Sequence, residues 1–213
     1  TIAWSGGSHG LDLTILNTES TLTGFANPNQ FQHRDPWKPY VVDPFEYLEN
    51  PLKGQLLKLN PRKAEPRGGK IDYDVEGKLA GSWYREGTGG YAGANRRLDY
   101  WVGHLALAYH HIDPSKVVVS LGDFQGKPRQ FWVKGNAPDP SKVGESAGAI
   151  KYELVYSAVD NSGRPYDGID TKKVHGVLLV QPLPKQRLKV EVFPGKTAED
   201  VNGFTKAAAV YER

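Results

Sequence analysis

The chain has 213 residues, of which 38% are hydrophobic and 24% charged, with a formal net charge of +3. This is a globular composition rather than a disordered one, and the Lys and Arg residues are too scattered for the basic stripe that nucleic acid needs. There is no cysteine, which excludes disulfides, thiolate metal sites and thiol nucleophiles, and no stretch approaches the ~18 apolar residues of a membrane-spanning helix.

The lack of cysteine suits an oxidising compartment, so an extracellular or periplasmic location is expected. There is also no methionine, even at position 1. The expectation is an N-terminus made by processing or truncation, with any signal peptide upstream of Thr1. The 24 glycines and 15 prolines favour many turns and short strands.

In chain order, Leu11, Leu13 and Ile15 alternate with Asp12 and Thr14 as in a short strand. Thr21 to Trp37 reads as polar loop. Asp43 is a candidate N-cap, with Pro44 at the first helical position and Glu46 placed for a capping box. Phe45, Leu48, Leu52 and Leu56 follow at helical spacing, and Pro51 kinks or divides that helix. Residues 60–69 form a polar hinge. Residues 1–66 therefore read as a lead-in of strand, loop and helix, and residues 67–213 as a β-rich domain.

Beyond the hinge, Ile71, Tyr73 and Val75 alternate with Asp72, Asp74 and Glu76, the pattern of a half-buried strand with a wet acidic face. Lys78 to Glu86 is a second strand carrying Trp83, followed by a glycine-rich loop at 87–95. Further strands are expected at Leu98 to His110, around Val117–Val119, at Arg129 to Lys134, at Ile150 to Tyr156, at Val174 to Val180 and at Leu188 to Phe193. The tail from Phe204 to Tyr211 suits a closing strand or a short helix. About eight antiparallel strands at this spacing imply a closed barrel, with a sandwich as the alternative.

The candidate chemistry is sparse. Gly81-Ser82-Trp83 suits a tryptophan that packs the floor of a barrel. His104, Ala106, Ala108 and His110 share one strand face, but the two histidines are about 20 Å apart and cannot chelate one metal. Asp72, Asp74 and Glu76 could serve paired acid–base work or calcium, or form a solvated outer face. The loop at 87–93 lacks the lysine and the strand–loop–helix context of a phosphate loop. Neither Ser82 nor Ser120 lies in a nucleophile elbow. No catalytic residue, metal ligand or cofactor is indicated. If the barrel holds a ligand in its lumen, Tyr84, His104, Trp132 and Tyr152 are the candidate lining residues.

The stretches EPRGGKIDYDVEGKLAGSWYREGTGGY, VVVSLGDFQGKPRQFWVKGNAPDP and LKVEVFPGKTAEDVNGF resemble a family of uncharacterised bacterial exported proteins. The resemblance covers most of residues 40–213, and the barrel itself resembles lipocalin-like proteins, in which a Gly-x-Trp lies on an early strand. In that family the barrel follows a region similar to lysostaphin-type zinc metallopeptidases, which cut peptidoglycan cross-bridges. The resemblance implies that residues 1 to about 30 end a degenerate peptidase-like region. The His-x-His pair needed for zinc is replaced by Gly10-Leu11-Asp12-Leu13, so peptidase activity does not carry over.

Three roles remain open from the sequence. The first is a non-catalytic barrel that binds a small ligand or a cell-envelope component. The second is a structural or assembly module that binds protein partners or self-associates. The third is an enzyme with an unrecognised site at the barrel mouth. The missing enzyme signatures favour the first two.

Overall fold

A computed structural model of the chain describes residues 14–32, 35–88, 90, 102–135, 137–157 and 170–213. Its centre is a closed barrel of eight antiparallel strands. Two short strands precede it, β1 (Ile15–Leu16) and β2 (Val41–Val42), paired as Ile15 with Val42 and Leu16 with Val41. Asp43 caps a 3-10 turn at Pro44–Glu46 by accepting the Phe45 N–H. A separate helix, α1 (Leu52–Leu59), follows. Pro51 divides the two pieces, as its missing N–H requires.

The barrel strands are β3 (Gly81–Arg85), β4 (His104–Tyr109), β5 (Val117–Phe124), β6 (Lys127–Val133), β7 (Ile150–Val155), β8 (Gly176–Leu183), β9 (Arg187–Pro194) and β10 (Ala209–Glu212). Each pairs with its sequence neighbour, and β10 closes the ring between β9 and β3. The tail thus forms a strand from Ala209 to Glu212, just beyond Ala207 and Ala208, because β3 and β9 would otherwise present two unpaired edges. Tight turns sit at Gln125-Gly126 and Lys185-Gln186, all with positive φ, which matches the twist of a hairpin. Pro182 is tolerated inside β8 because β7 ends its pairing at Val180, so the missing N–H breaks no bond there.

Alternate strand residues fill the interior. Trp83, Leu105, Leu107, Val119, Phe131, Tyr152, Leu154, Leu178 and Leu188 are all buried in one continuous core. The expected Leu98–Trp101 start of β4, most of the glycine-rich loop, Leu11 and Leu13, and His9 and Asp12 lie outside the described residues.

The floor of the barrel is built around Trp83. Its Nε1 donates to the Leu79 carbonyl at 2.8 Å. The Arg213 guanidinium stacks over the indole, 4.0 Å from its centre. The same guanidinium donates to the carbonyls of Ala80 (2.7 Å), Lys78 (2.9 Å) and Val75, and to Gln186 Oε1 (3.2 Å). Gly81 is needed beneath it. Its φ is +125°, and a Cβ there would lie 2.3 Å from Asp74 Oδ1 and 2.6 Å from Arg213.

One expectation is reversed. Ile71 to Val75 is extended but is not a barrel strand, and its alternation is inverted. Asp72 is 6% exposed, whereas Ile71 is 45% exposed. Asp72 and Asp74 turn inward because the backbone N–H groups of Gly24 and Ala26 await them there, whereas Glu76 stays exposed.

Gly81→Ala should cost roughly 2–4 kcal/mol through positive-φ strain and collision. Arg213→Ala should cost about 2–4 kcal/mol through its charge-assisted bonds and its stacking on Trp83. Urea unfolding followed by tryptophan fluorescence measures both, and a loss below 1 kcal/mol for either would show that the floor is not built this way.

Candidate binding clefts between the N-terminal strap and the barrel

Residues 17–32 and 35–42 form a strap that doubles back on itself. Asn17 N–H donates to the Tyr40 carbonyl and Leu22 N–H to the Pro39 carbonyl. Two 3-10 turns, Pro28–Phe31 and Lys38–Tyr40, bend it. Phe25 and Phe31 pack edge to face at 4.7 Å, and both are buried. A stretch that reads as polar loop thus owns its own aromatic core, and the only sequence signal for it is the run of Phe25, Phe31 and Trp37.

Two carboxylates clasp the strap to the barrel. Asp72 Oδ2 accepts the Gly24 N–H at 2.9 Å, and Asp74 Oδ2 accepts the Ala26 N–H at 3.0 Å. The Asp74 N–H returns a bond to the Gly24 carbonyl. Gly24 is required because a Cβ would lie 2.2 Å from the Asp72 carbonyl oxygen. Asp74 Oδ1 also accepts the Ser82 N–H of β3 at 2.7 Å. Burial raises the Asp74 pKa, opposed by the Ser82 and Ala26 N–H groups and by Arg213. Arg62 is buried. It donates to the carbonyls of Pro66, Glu65 and His111, so its charge is used internally.

The clasp leaves two adjoining clefts. The first holds about 320 Å³ and is lined by Phe25, Phe31, Trp37, Lys38, Ile71 and Ser82. The second holds about 510 Å³ and is lined by Asp43, Glu46, Lys70, Asp72 and His111 among others. They share Thr14, Val41 and Ile71. The first is aromatic with one cation. Lys38 Nζ lies 5.4 Å from the centre of Phe31 and 6.0 Å from that of Trp37, and pairs with Asp35 at 3.2 Å. Burial lowers the Lys38 pKa, and Asp35 pulls it back up. In the second cleft Lys70 pairs with Asp72 at 2.6 Å. Both Asp72 oxygens are engaged, one by Lys70 and one by Gly24, which suits holding the fold rather than moving protons.

The four lumen candidates do not gather. Tyr152 points inward and donates to the Pro138 carbonyl at 2.8 Å. Tyr84, His104 and Trp132 alternate with core residues Trp83, Leu105 and Phe131 and so lie on the outer face. Tyr84 and His104 are neighbours there, 5.8 Å apart between ring centres. Trp132 instead meets His110, edge to face at 5.2 Å. The alanines between His104 and His110 therefore face outward too. Among the described residues no three His, Asp or Glu side chains group so as to hold a metal.

Set against models of known protein families, curated proteins and solved structures, the chain matches none.

His104 is buried, and its pKa is pushed down to about 4 by burial and by the Lys38 charge. The folded protein therefore binds fewer protons than the unfolded chain between the usual histidine value and about pH 4. Stability present above the unfolded value should be lost as pH falls through that window. The loss attributable to this residue should reach up to about 3 kcal/mol. Urea melts across the window, compared with His104→Gln, measure it. The variant should show the flatter profile, and parallel profiles would remove His104 as the cause.

Proposed function

We propose that the chain is a non-catalytic binding module of lipocalin-like build. It carries a small, largely apolar ligand in the clefts outside the barrel rather than in the lumen. The observation that carries this reading is the contrast between the two spaces. The interior is packed with side chains, among them Leu79, Trp83, Phe124, Phe131 and Tyr152. The clefts reach the few hundred Å³ of small-molecule sites, and Trp37 and Ile71 remain substantially exposed at their edges.

The chemistry of the first cleft favours a flat apolar body against Phe31 and Trp37, with an acidic or hydrogen-bonding group toward Lys38. The second cleft adds mixed charge and could seat a polar extension. A cysteine-free chain fits use outside the cytoplasm, in keeping with a ligand met in the cell envelope.

Anilinonaphthalene sulfonate, an apolar aromatic anion, is a suitable probe. Its fluorescence should rise on binding, and Trp37→Ala and Ile71→Asp should each weaken binding by roughly tenfold while leaving the melting temperature within a few degrees. Equal binding by wild type and both variants would place the probe elsewhere and sink this reading.

A further inference from the structure

Helix α1 is laid down the wrong way round for a soluble protein. At about 100° per residue, Leu52, Leu56 and Leu59 form one stripe. That stripe faces solvent, with exposures of 49%, 38% and 80%. The opposite side, through Gly54 and Leu57, is partly covered, as is Lys53 on the flank between them and the stripe. A surface helix normally buries its apolar stripe.

What holds the helix is polar. Asn60 Nδ2 donates to the Arg67 carbonyl, and Arg67 donates to the carbonyls of Leu57 and Arg62. Arg62 N–H donates to Asn60 Oδ1. The exposed leucines thus contribute little to docking the helix, which leaves them available for a surface outside the chain. Tyr47, half exposed on the preceding turn, adds an aromatic group with a polar tip.

The charge around the stripe selects that surface. No acidic residue occurs between Glu49 and Glu65, and the interval carries Lys53, Lys58, Arg62 and Lys63. Arg62 is spent internally and Lys63 donates to the Asn60 carbonyl at 2.8 Å, which leaves Lys53 and Lys58 as the cations beside the stripe. Lys53 and Lys58 flank the leucine stripe on its two sides, about 90–130° away around the helix axis. Lys63 follows at the C-terminal end. Leucines between lysines suit an anionic lipid surface, with the apolar row entering the headgroup boundary and the ammonium groups reaching phosphates.

We propose that α1 is an interfacial anchor that lays the barrel on an anionic membrane surface through Leu52, Leu56 and Leu59, with Lys53 and Lys58 as its electrostatic rim. The helix lines neither cleft, so this anchor stands whether or not the clefts bind a ligand. A single short helix gives weak, reversible and salt-sensitive binding.

The test is flotation of the 213-residue chain with vesicles of equal parts phosphatidylglycerol and phosphatidylcholine, against phosphatidylcholine alone. The chain should float with the anionic vesicles and be released by high salt. The triple variant Leu52→Ser, Leu56→Ser, Leu59→Ser should lose roughly tenfold or more in partitioning, with its melting temperature unchanged. Lys53→Gln with Lys58→Gln should lose roughly tenfold or more on anionic vesicles. Failure to float, or flotation that survives the leucine triple, overturns the proposal. So does a melting temperature that collapses in the triple, which would make the leucines structural. A dimer in light scattering that the triple turns into monomer assigns the face to a second copy of the chain and also overturns it.

Discussion

The Asp74 carboxylate is the joint on which the architecture turns. One oxygen accepts the Ala26 N–H of the strap, and the other accepts the Ser82 N–H of the first barrel strand. Arg213, arriving from the last strand, lies beside it and bonds the carbonyls of Val75, Lys78 and Ala80. Strap, first strand and last strand thus meet within one residue's reach. Only a glycine fits at position 81, because any Cβ would strike both charged groups. A half-desolvated carboxylate is costly to bury, and here the cost is offset by two N–H donors and a guanidinium.

Closing the barrel in this way has a consequence for function. An eight-stranded barrel is just wide enough either to be filled or to hold one small ligand. Here Trp83, Tyr152 and Phe131 are all but fully buried among leucines and valines, and Arg213 seals the floor. Concave, partly apolar space lies where the strap crosses the outer face beside the Asp72 and Asp74 clasp, and a further hollow of about 330 Å³ opens at the barrel end around Trp83, Glu76 and Arg187. The features that speak of binding are therefore add-ons to the barrel: the aromatic turn around Phe31 and Trp37, and the helix with its leucines outward. Function placed on appended segments over a rigid scaffold is a common arrangement.

Much of the barrel was readable in the chain. Period-two alternation located β5 to β9 within a few residues, whereas Asp43-Pro44, which reads as the start of a helix, caps only a 3-10 turn ahead of α1. The division at Pro51 followed from the missing N–H. The misreadings share one cause. Ile71 to Val75 alternates perfectly, but alternation gives the period and not the sign of the face. Which side goes inward was decided by the backbone N–H groups of Gly24 and Ala26, some fifty residues earlier in the chain. Of the four lumen candidates Tyr152 points inward, and the other three face outward for the same reason. Tyr84 and His104 are one residue out of phase with Trp83 and Leu105, and a one-residue change of phase moves a side chain to the other side of the sheet.

The sequence by itself determined the antiparallel β architecture and the lack of thiol chemistry, because these depend on local periodicity and composition. Only the tertiary structure decided that the barrel is filled, that the tail rather than Ile71–Val75 supplies its eighth strand, that Asp72 and Asp74 point inward, and that the leucines of α1 point outward. Those outcomes depend on which distant backbone groups must be satisfied, and a long-range hydrogen bond leaves no periodic trace in the chain.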